Sequence, residues 1–293
     1  MNKTLSFPLA PRANAQAGFT LIELMVSVVV GMVIVASLAL MFANNSRARQ
    51  EMEKTSQQIE NGRYTTQTLR DDLRLAGYYG ELNPKTLATP GAVPDPSLTD
   101  DASVAAALPL SVQGYHFGKD STAYSTMPTG LSSLLTDIRP NTDVLVIRRV
   151  STCYSGPTTA ESSCSAMDTS SSKYFQTTLC STHLTNITDA SKIFVIGTDS
   201  TVFTTTNASV NPYTPTYFAQ KDCSTAAVTR AFNLHIYYIA NNDVSGDGIP
   251  TLKMVSLGAN AFSSPSSIAE GIETLQIEYG LDTSGDGAPD SWV

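Results

Sequence analysis

Charged residues are scarce in this sequence, and recognisable catalytic motifs are absent from it. Lysine and arginine number 18 and aspartate and glutamate 26 among 293 residues, so the formal net charge is −8. Such an acidic chain lacks the basic surface that general nucleic-acid binding requires. There is no G-x-S-x-G elbow, phosphate-binding loop, H-E-x-x-H pair or dinucleotide fingerprint after a strand. The sequence therefore predicts neither an enzyme nor a general nucleic-acid-binding protein.

The sequence contains one long apolar run near its amino end. Between Phe19 and Phe42 the only strongly polar side chain is Glu23. A helix of this length rises roughly 36 Å, which is enough to cross a hydrocarbon core of about 30 Å. A carboxylate in a membrane helix costs free energy unless it is paired, so Glu23 indicates a specific partner. The alternative is an interfacial glutamate that is hydrated among lipid head groups.

A short polar leader precedes the run. Met1 to Ala17 carries only Lys3 and Arg12 as charges and ends directly before Gly18. No A-x-A-like signal-peptidase site follows the apolar run, so the pattern is not that of an ordinary secretory signal. Positive charges lie close to both ends of the run, and charge asymmetry therefore does not set its orientation.

The stretch Gly18-Phe19-Thr20-Leu21-Ile22-Glu23-Leu24-Met25 resembles the prepilin signal of type IV pilins and related pseudopilins. The resemblance implies that a prepilin peptidase cleaves after Gly18 and methylates the new amino terminus at Phe19. It implies that Glu23 pairs with the terminal amine of a neighbouring subunit during assembly. It also places residues 1–18 in the cytoplasm as a leader and the bulk of the chain in the periplasm.

The helix is predicted to continue from Asn44 to Ala76, because the segment has no proline and carries a narrow seam with alternate spacings of three and four residues. The seam consists of Met52, Thr55, Ile59, Gly62, Thr66, Leu69, Leu73 and Ala76. Such a seam suits a helix whose far end lies against a sheet. Gly77 supplies the stop signal at its carboxyl end.

Two strings in this helix, Glu60 to Arg63 and Leu69 to Gly80, resemble the amino-terminal signature of PilW family minor pilins, and Glu270 to Glu273 is similar to the family's late strands. The resemblance implies an α+β type IV pilin fold. A long amino-terminal helix, with a membrane half at 19–42 and an amphipathic half at 43–80, packs on an antiparallel β-sheet domain at 81–293 that has long disulfide-stapled loops.

The residues of the globular region predict its strands independently of the resemblance. Glu81 to Pro140 is rich in proline, glycine, serine and threonine, and we expect it to form a long surface segment that packs over the sheet. We expect a central strand, apolar on both faces, and a second long strand with one buried face. The predicted strands are Ser111 to Phe117, Asp143 to Val150 (central), Lys192 to Ile196, Phe232 to Tyr238 (one buried face), Thr251 to Leu257 and Leu275 to Tyr279.

Four cysteines lie in the exported part: Cys153, Cys164, Cys180 and Cys223. An even number in an oxidising compartment predicts two disulfides. Sequence does not determine the connectivity, but pairing neighbours, Cys153 with Cys164 and Cys180 with Cys223, would staple two loops rich in serine and threonine. Zinc is the alternative, although the spacings match no structural site and the three histidines are scattered.

Two loops that follow predicted strands have similar sequences: Asp243 to Pro250 and Asp282 to Asp290. Alternating oxygen-bearing side chains and a glycine suit calcium, but neither loop is an EF-hand, because the place of the bidentate glutamate is taken by Met254 or Val293. The second loop has the better ligand set: Asp282, Ser284, Asp286 and Asp290. The alternative is a Gly-Asp-Gly hairpin turn with solvated carboxylates. No other cofactor is expected.

The PilW resemblance implies a minor pilin, a structural subunit of a tip or priming complex that initiates pilus assembly. Its partners would be other minor pilins, the major pilin, the prepilin peptidase, the inner membrane and a tip adhesin. A type II secretion pseudopilin and a membrane-tethered periplasmic binding module or hydrolase stay open as alternatives.

PilW proteins generally continue with further strands, so we expect a carboxyl end that is shortened or divergent. If it is shortened, we expect residues 44–293 to have poor stability.

Overall fold

The computed structural model describes residues 18–118, 127–156, 163–186, 193–198, 203 and 218–292. The predicted leader from Met1 to Ala17 lies outside the described residues, as do Lys192 and Val293. The chain divides into two units, with the boundary between Gln57 and Gln58. Helix α1, Leu21–Arg74, begins in the first unit and ends in the second.

In the first unit, α1 exposes apolar side chains around its whole circumference. The large side chains of the run are between half and four-fifths exposed, from Val28 at 49% to Phe19 at 83%. A helix that is hydrophobic on all sides requires an apolar surrounding. Among the described residues, α1 is the one helix whose length and composition suffice to cross a membrane.

The second unit contains the remaining described elements. Its short helices are α2 (Asp101–Ala106), α3 (Thr129–Leu134) and α4 (Ser181–Asn186), with a 3-10 turn at Pro84–Thr86. Its strands are β1 (Val112–Phe117), β2 (Thr142–Val150), β3 (Tyr174–Thr177), β4 (Phe194–Gly197), β5 (Thr229–Ala240), β6 (Thr251–Ser256), β7 (Ser266–Glu270), β8 (Gly280–Leu281) and β9 (Ser291–Trp292).

Seven strands form one antiparallel sheet in the order β1-β2-β5-β3-β4, with β6 paired to β5 and β7 paired to β6. Strand β5 organises it, because its 12 residues are long enough to pair with β2, β3 and β6. Strands β8 and β9 form a separate two-stranded ribbon. The predicted strands at β1, β2, β5 and β6 are confirmed, and β2 is central.

The sheet is covered on both faces. On one face, residues of β2 and β5 pack with residues of the segment between α1 and β2: Val144, Val146 and Ile236 with Leu108 and Leu131. This confirms that the predicted surface segment lies over the sheet. Tyr237, Ile239, Leu145, Ile147 and Leu252 form the core of the other face. The prediction of one buried face is confirmed from Phe232 to Ile236, where the residues of the other face are only partly buried. It fails at Tyr237, which is buried because side chains from α1 and from residues 272–277 cover that face.

The packing face of α1 differs from the predicted seam. Leu69 and Ala76 pack against the sheet as the seam predicts. Leu73, however, is 39% exposed and Thr66 is exposed, whereas their neighbours Thr65 and Asp72 are buried. A hydrophobic pattern does not identify a buried carboxylate as a packing residue. The helix ends as predicted, before Gly77, which has a positive φ of 74°.

The predicted strand from Leu275 to Tyr279 is absent, and β7 was not predicted. Residues 272–279 have no strand assignment, and polar groups of Asp143 hold them instead. The Asp143 N–H donates to the carbonyl of Leu275 at 2.9 Å, and the N–H of Ile277 donates to the Asp143 carboxylate at 2.7 Å. A Cβ at Gly114 would overlap the Tyr279 hydroxyl, so this segment passes close over β1. Its alternating apolar residues therefore face the sheet without joining it.

Candidate functional site

The residues before α1 form a reciprocal cap at its amino terminus. The Thr20 N–H donates to the Glu23 carboxylate at 3.2 Å, and the Glu23 N–H donates to the Thr20 hydroxyl at 3.3 Å. The Thr20 hydroxyl also donates to that carboxylate at 3.1 Å. This is a capping box, in which a threonine and a glutamate three residues later satisfy amide groups that a helix start leaves unpaired.

The capping box gives Glu23 a partner within its own chain. Phe19 and Gly18 precede it as exposed residues without secondary structure, so the predicted cleavage position lies just outside the helix. Sequence reasoning missed the role of Thr20, although the T-x-x-E spacing before an apolar run was its visible signal. The assembly role of Glu23 and the processing of Gly18 and Phe19 stay predictions.

A buried carboxylate joins the end of α1 to the sheet. Asp72, which is 6% exposed, accepts a hydrogen bond from Arg149 Nε at 2.5 Å through Oδ1. Its Oδ2 lies 2.7 Å from His235 Nδ1 and accepts a hydrogen bond from the Tyr237 hydroxyl at 3.0 Å. We call these four residues the Asp72 cluster.

Electrostatics favour the ionised form of this carboxylate. Burial by itself would raise the pKa of Asp72, but the hydrogen bond and charge of His235, followed by those of Arg149, lower the pKa to about 2. Burial raises the pKa of Tyr237, and the negative charge of Asp72 raises it further. Removing one partner from a buried ion pair of this kind leaves an uncompensated buried charge, which is strongly destabilising.

The Asp72 cluster was not predicted from sequence. Asp72 is separated by 77 residues from Arg149 and by 163 from His235, so no local pattern connects them. The sequence did contain one signal for Asp72. It lies three residues after Leu69 and four before Ala76, and this helical spacing places it on the same face of the helix as those two packing residues. The His235 side chain is partly buried, with 17% of it exposed.

His235 also borders a surface pocket of about 590 Å³ that Ser256 and Ser263 line. An aspartate, a histidine and nearby serines invite comparison with a catalytic triad. The hydroxyls of Ser256 and Ser263 bond to each other at 3.2 Å, and in the part of the chain described here neither bonds to the His235 ring. This geometry therefore provides a positioned imidazole without an activated serine.

Both predicted disulfides are present, between Cys153 and Cys164 and between Cys180 and Cys223. They close loops with sequence separations of 11 and 43 residues. Cys180 is buried at 1% exposure beside β3, so its bridge ties the loop after β3 to the segment that leads into β5.

Removing the longer disulfide should destabilise the second unit more than removing the shorter one. The chain-entropy model gives about 4 kcal/mol for the Cys180–Cys223 loop and about 3 kcal/mol for the Cys153–Cys164 loop. We expect Cys180→Ser with Cys223→Ser to lower the melting temperature of the full chain in detergent further than Cys153→Ser with Cys164→Ser. An equal or reversed order would show that loop closure is not the dominant contribution.

The predicted calcium ligands lie in the loop between β8 and β9: Asp282, Ser284, Asp286 and Asp290. The Asp282 carboxylate accepts from the N–H groups of Gly285 at 2.6 Å and Gly287 at 2.8 Å, and Asp290 accepts from the Ser284 N–H at 2.7 Å. Across the described ranges, no group of three or more His, Cys, Asp or Glu side chains is placed to hold a metal ion. Calcium binding stays a prediction that calorimetric titration of the protein with Ca²⁺ would check.

Two family models match the chain, one near each end. Residues 13–39, which contain the capping box, match the prokaryotic N-terminal methylation motif. Residues 236–293, from the middle of β5 to the end of the chain, match PilW, described as Type IV Pilus-assembly protein W. The predicted similarity at Glu270 to Glu273 lies within the second match, whereas Glu60 to Gly80 lies outside both. No curated protein and no solved structure gives a significant match. The two matches, which together cover less than a third of the chain, support a PilW-like type IV pilin with a prepilin-type signal.

Proposed function

We propose that this protein is a minor pilin that joins other minor pilins in a tip or priming complex and starts pilus assembly. The observation that carries this proposal is the combination, in one chain, of the Gly18–Glu23 segment at the start of a membrane-length helix with the PilW match at 236–293. On this proposal the protein acts by assembly, without substrate turnover, and supports adhesion, twitching motility or DNA uptake through the pilus.

Processing and assembly would use the start of α1. A prepilin peptidase cleaves after Gly18, methylates Phe19, and leaves a new amino terminus directly before the capping box. In the membrane, Glu23 is stabilised by Thr20, which reduces the cost of a carboxylate at that depth. In the filament, the amine of a neighbouring subunit becomes its charged partner, and an opposite charge in an apolar surrounding is worth more than a neutral donor.

The proposed location follows from the same features. Before assembly, the first unit anchors the protein in the inner membrane and the second unit lies in the periplasm; after assembly, the protein lies in the pilus, at its tip. Two disulfides support an oxidising compartment for the second unit. The proposed partners are the prepilin peptidase, the major pilin, other minor pilins and a tip adhesin.

Deletion of the gene, with pili and secreted enzymes scored separately, tests this function. We expect surface pili to fall to near background while enzyme secretion is unchanged, and the full chain supplied in trans to restore pili. Lost secretion with intact pili would favour a type II secretion pseudopilin, which has the same kind of signal. A binding or hydrolytic activity that a soluble fragment retains would instead favour a tethered periplasmic module.

A further inference from the structure

An apolar groove lies between the end of α1 and the segment that follows β7. One wall is the α1 face with Thr66, Leu69 and Leu73, the floor is Leu252, and the other wall holds Ile272 and Leu275. The groove encloses about 610 Å³ and is lined mainly by apolar atoms. All of its residues belong to the second unit, so its shape depends on that unit alone.

The helix α1 forms one wall of the groove. Its helix residues run from Gly62 to Arg74, a rise of roughly 18 Å. Thr66 and Leu73, which line the groove, lie seven residues apart, and Ile59, which precedes the lining residues, continues the interval of seven. Ile59 and Leu73 are 69% and 39% exposed. Seven-residue spacing is the repeat with which one helix packs its side chains between those of another. The dimensions and spacing therefore suit about three turns of a helix.

The charged residues at the edge of the groove indicate the charge of a helix that could bind there. Arg70 and Arg74 line the α1 side of the groove and are exposed. Among the described residues, the ion pair of Arg70 is a long, exposed one with Asp71 at 3.7 Å, which contributes little. On the opposite wall, Glu273 is exposed and lies in sequence between two lining residues, Ile272 and Thr274. A second copy of α1 would bring a like-charged Arg70 and Arg74 to this rim, so self-pairing is disfavoured.

We propose that this groove binds an amphipathic helix of a different subunit, with an apolar heptad stripe flanked by carboxylates on the edge that faces α1. The proposal rests on the proposed function, because a neighbouring pilin would supply that helix. Apolar residues of the partner enter the groove beside Leu69 and Leu73, and its carboxylates meet Arg70 and Arg74. Charge complementarity at the rim selects the partner and its orientation.

Two synthetic helices test the proposal with the full chain in a mild detergent. Both peptides have the same three apolar heptads, but one carries glutamate and the other lysine at the flanking positions. In fluorescence anisotropy at low salt we expect the glutamate peptide to bind at least about tenfold more tightly, and this advantage to shrink as salt is added. Leu73→Asp should weaken both peptides, since it places a charge on the apolar wall.

Charge reversal supplies the decisive comparison. Arg70→Glu with Arg74→Glu should reverse the preference to the lysine peptide, and both side chains are exposed, so the fold is retained. Arg47→Glu with Arg49→Glu is the control with the same change in net charge outside the groove, and it should leave the preference intact. Equal affinity for both peptides, binding of neither, or self-association of the full chain that Leu73→Asp abolishes would overturn the proposal. If deletion abolishes pili while these binding tests fail, the proposed function stands and only the groove proposal falls.

Discussion

Replacing Asp72 with alanine should destabilise the second unit by about 3–5 kcal/mol, the usual cost of removing one partner from a buried ion pair. Arg149 would lose its carboxylate while only 18% of its side chain is exposed. The Tyr237 hydroxyl, in a residue that is 2% exposed, would lose its acceptor as well. The end of α1 would thereby lose the ion pair and the hydrogen bonds that Asp72 makes with the sheet.

The matched control is the adjacent residue. In the described part of the chain Asp71 forms one exposed ion pair, with Arg70 at 3.7 Å, so Asp71→Ala should change stability by less than about 0.5 kcal/mol. Thermal unfolding of the full chain in detergent, followed by near-ultraviolet circular dichroism of the tyrosines, compares the two variants. Equal melting temperatures for both variants would contradict a stabilising role for the Asp72 cluster.

The same cluster predicts a loss of stability in acid. The pKa of Asp72 is lowered to about 2 in the folded protein, so the unfolded chain binds the proton more readily. The stabilisation is complete above the unfolded pKa near 4 and is lost as the pH falls through about 2. It amounts to roughly 2 kcal/mol. The melting temperature of the wild type should therefore fall between pH 4 and pH 2 more steeply than that of Asp72→Ala.

Glu23→Ala should leave membrane insertion and cleavage after Gly18 intact but reduce incorporation into pili by at least about tenfold. An apolar substitution suits the lipid, so insertion has no reason to fail. The filament, however, loses the carboxylate that would pair with a neighbour's amine. Immunoblots of membrane and sheared-pilus fractions measure processing and incorporation separately.

Two further variants separate capping from charge pairing. Glu23→Gln keeps a side chain that can complete the capping box but removes the charge, and it should behave like Glu23→Ala. Thr20→Val removes the capping hydroxyl and keeps the carboxylate, and it should incorporate nearly normally. Normal incorporation of Glu23→Ala would show that the protein joins its complex through the second unit instead.

Local features of the chain were predictable to a large extent. The apolar run, the continuing helix and its stop at Gly77 follow from hydrophobicity, helix propensity and a glycine that tolerates positive φ. Strand β2 is buried at seven of its nine positions, and the apolar run at 144–147 predicts this for its centre, although not for the buried Arg148. Such features depend on residues close in sequence, which is why the prepilin-type signal was recognisable as well.

Long-range features were predicted less well. Leu275 to Tyr279 has the alternation of a strand, but Asp143 satisfies part of its backbone and keeps it across the sheet face. Alternation reports which side chains are covered and does not report which backbone groups pair. Tyr237 shows the same limitation, because its burial depends on a helix more than 160 residues earlier in the chain.

The sequence by itself determined that this protein has a membrane-length helix, a single carboxylate near its start and four cysteines suited to two disulfides. Only the tertiary structure decided which face of α1 packs, that Asp72 bonds to side chains of the sheet, and that a groove lined by two arginines lies along α1. The physical reason is the separation along the sequence between the residues that interact. Hydrophobic length is a property of neighbouring residues, whereas a buried ion pair exists only after folding brings together groups that are far apart in sequence.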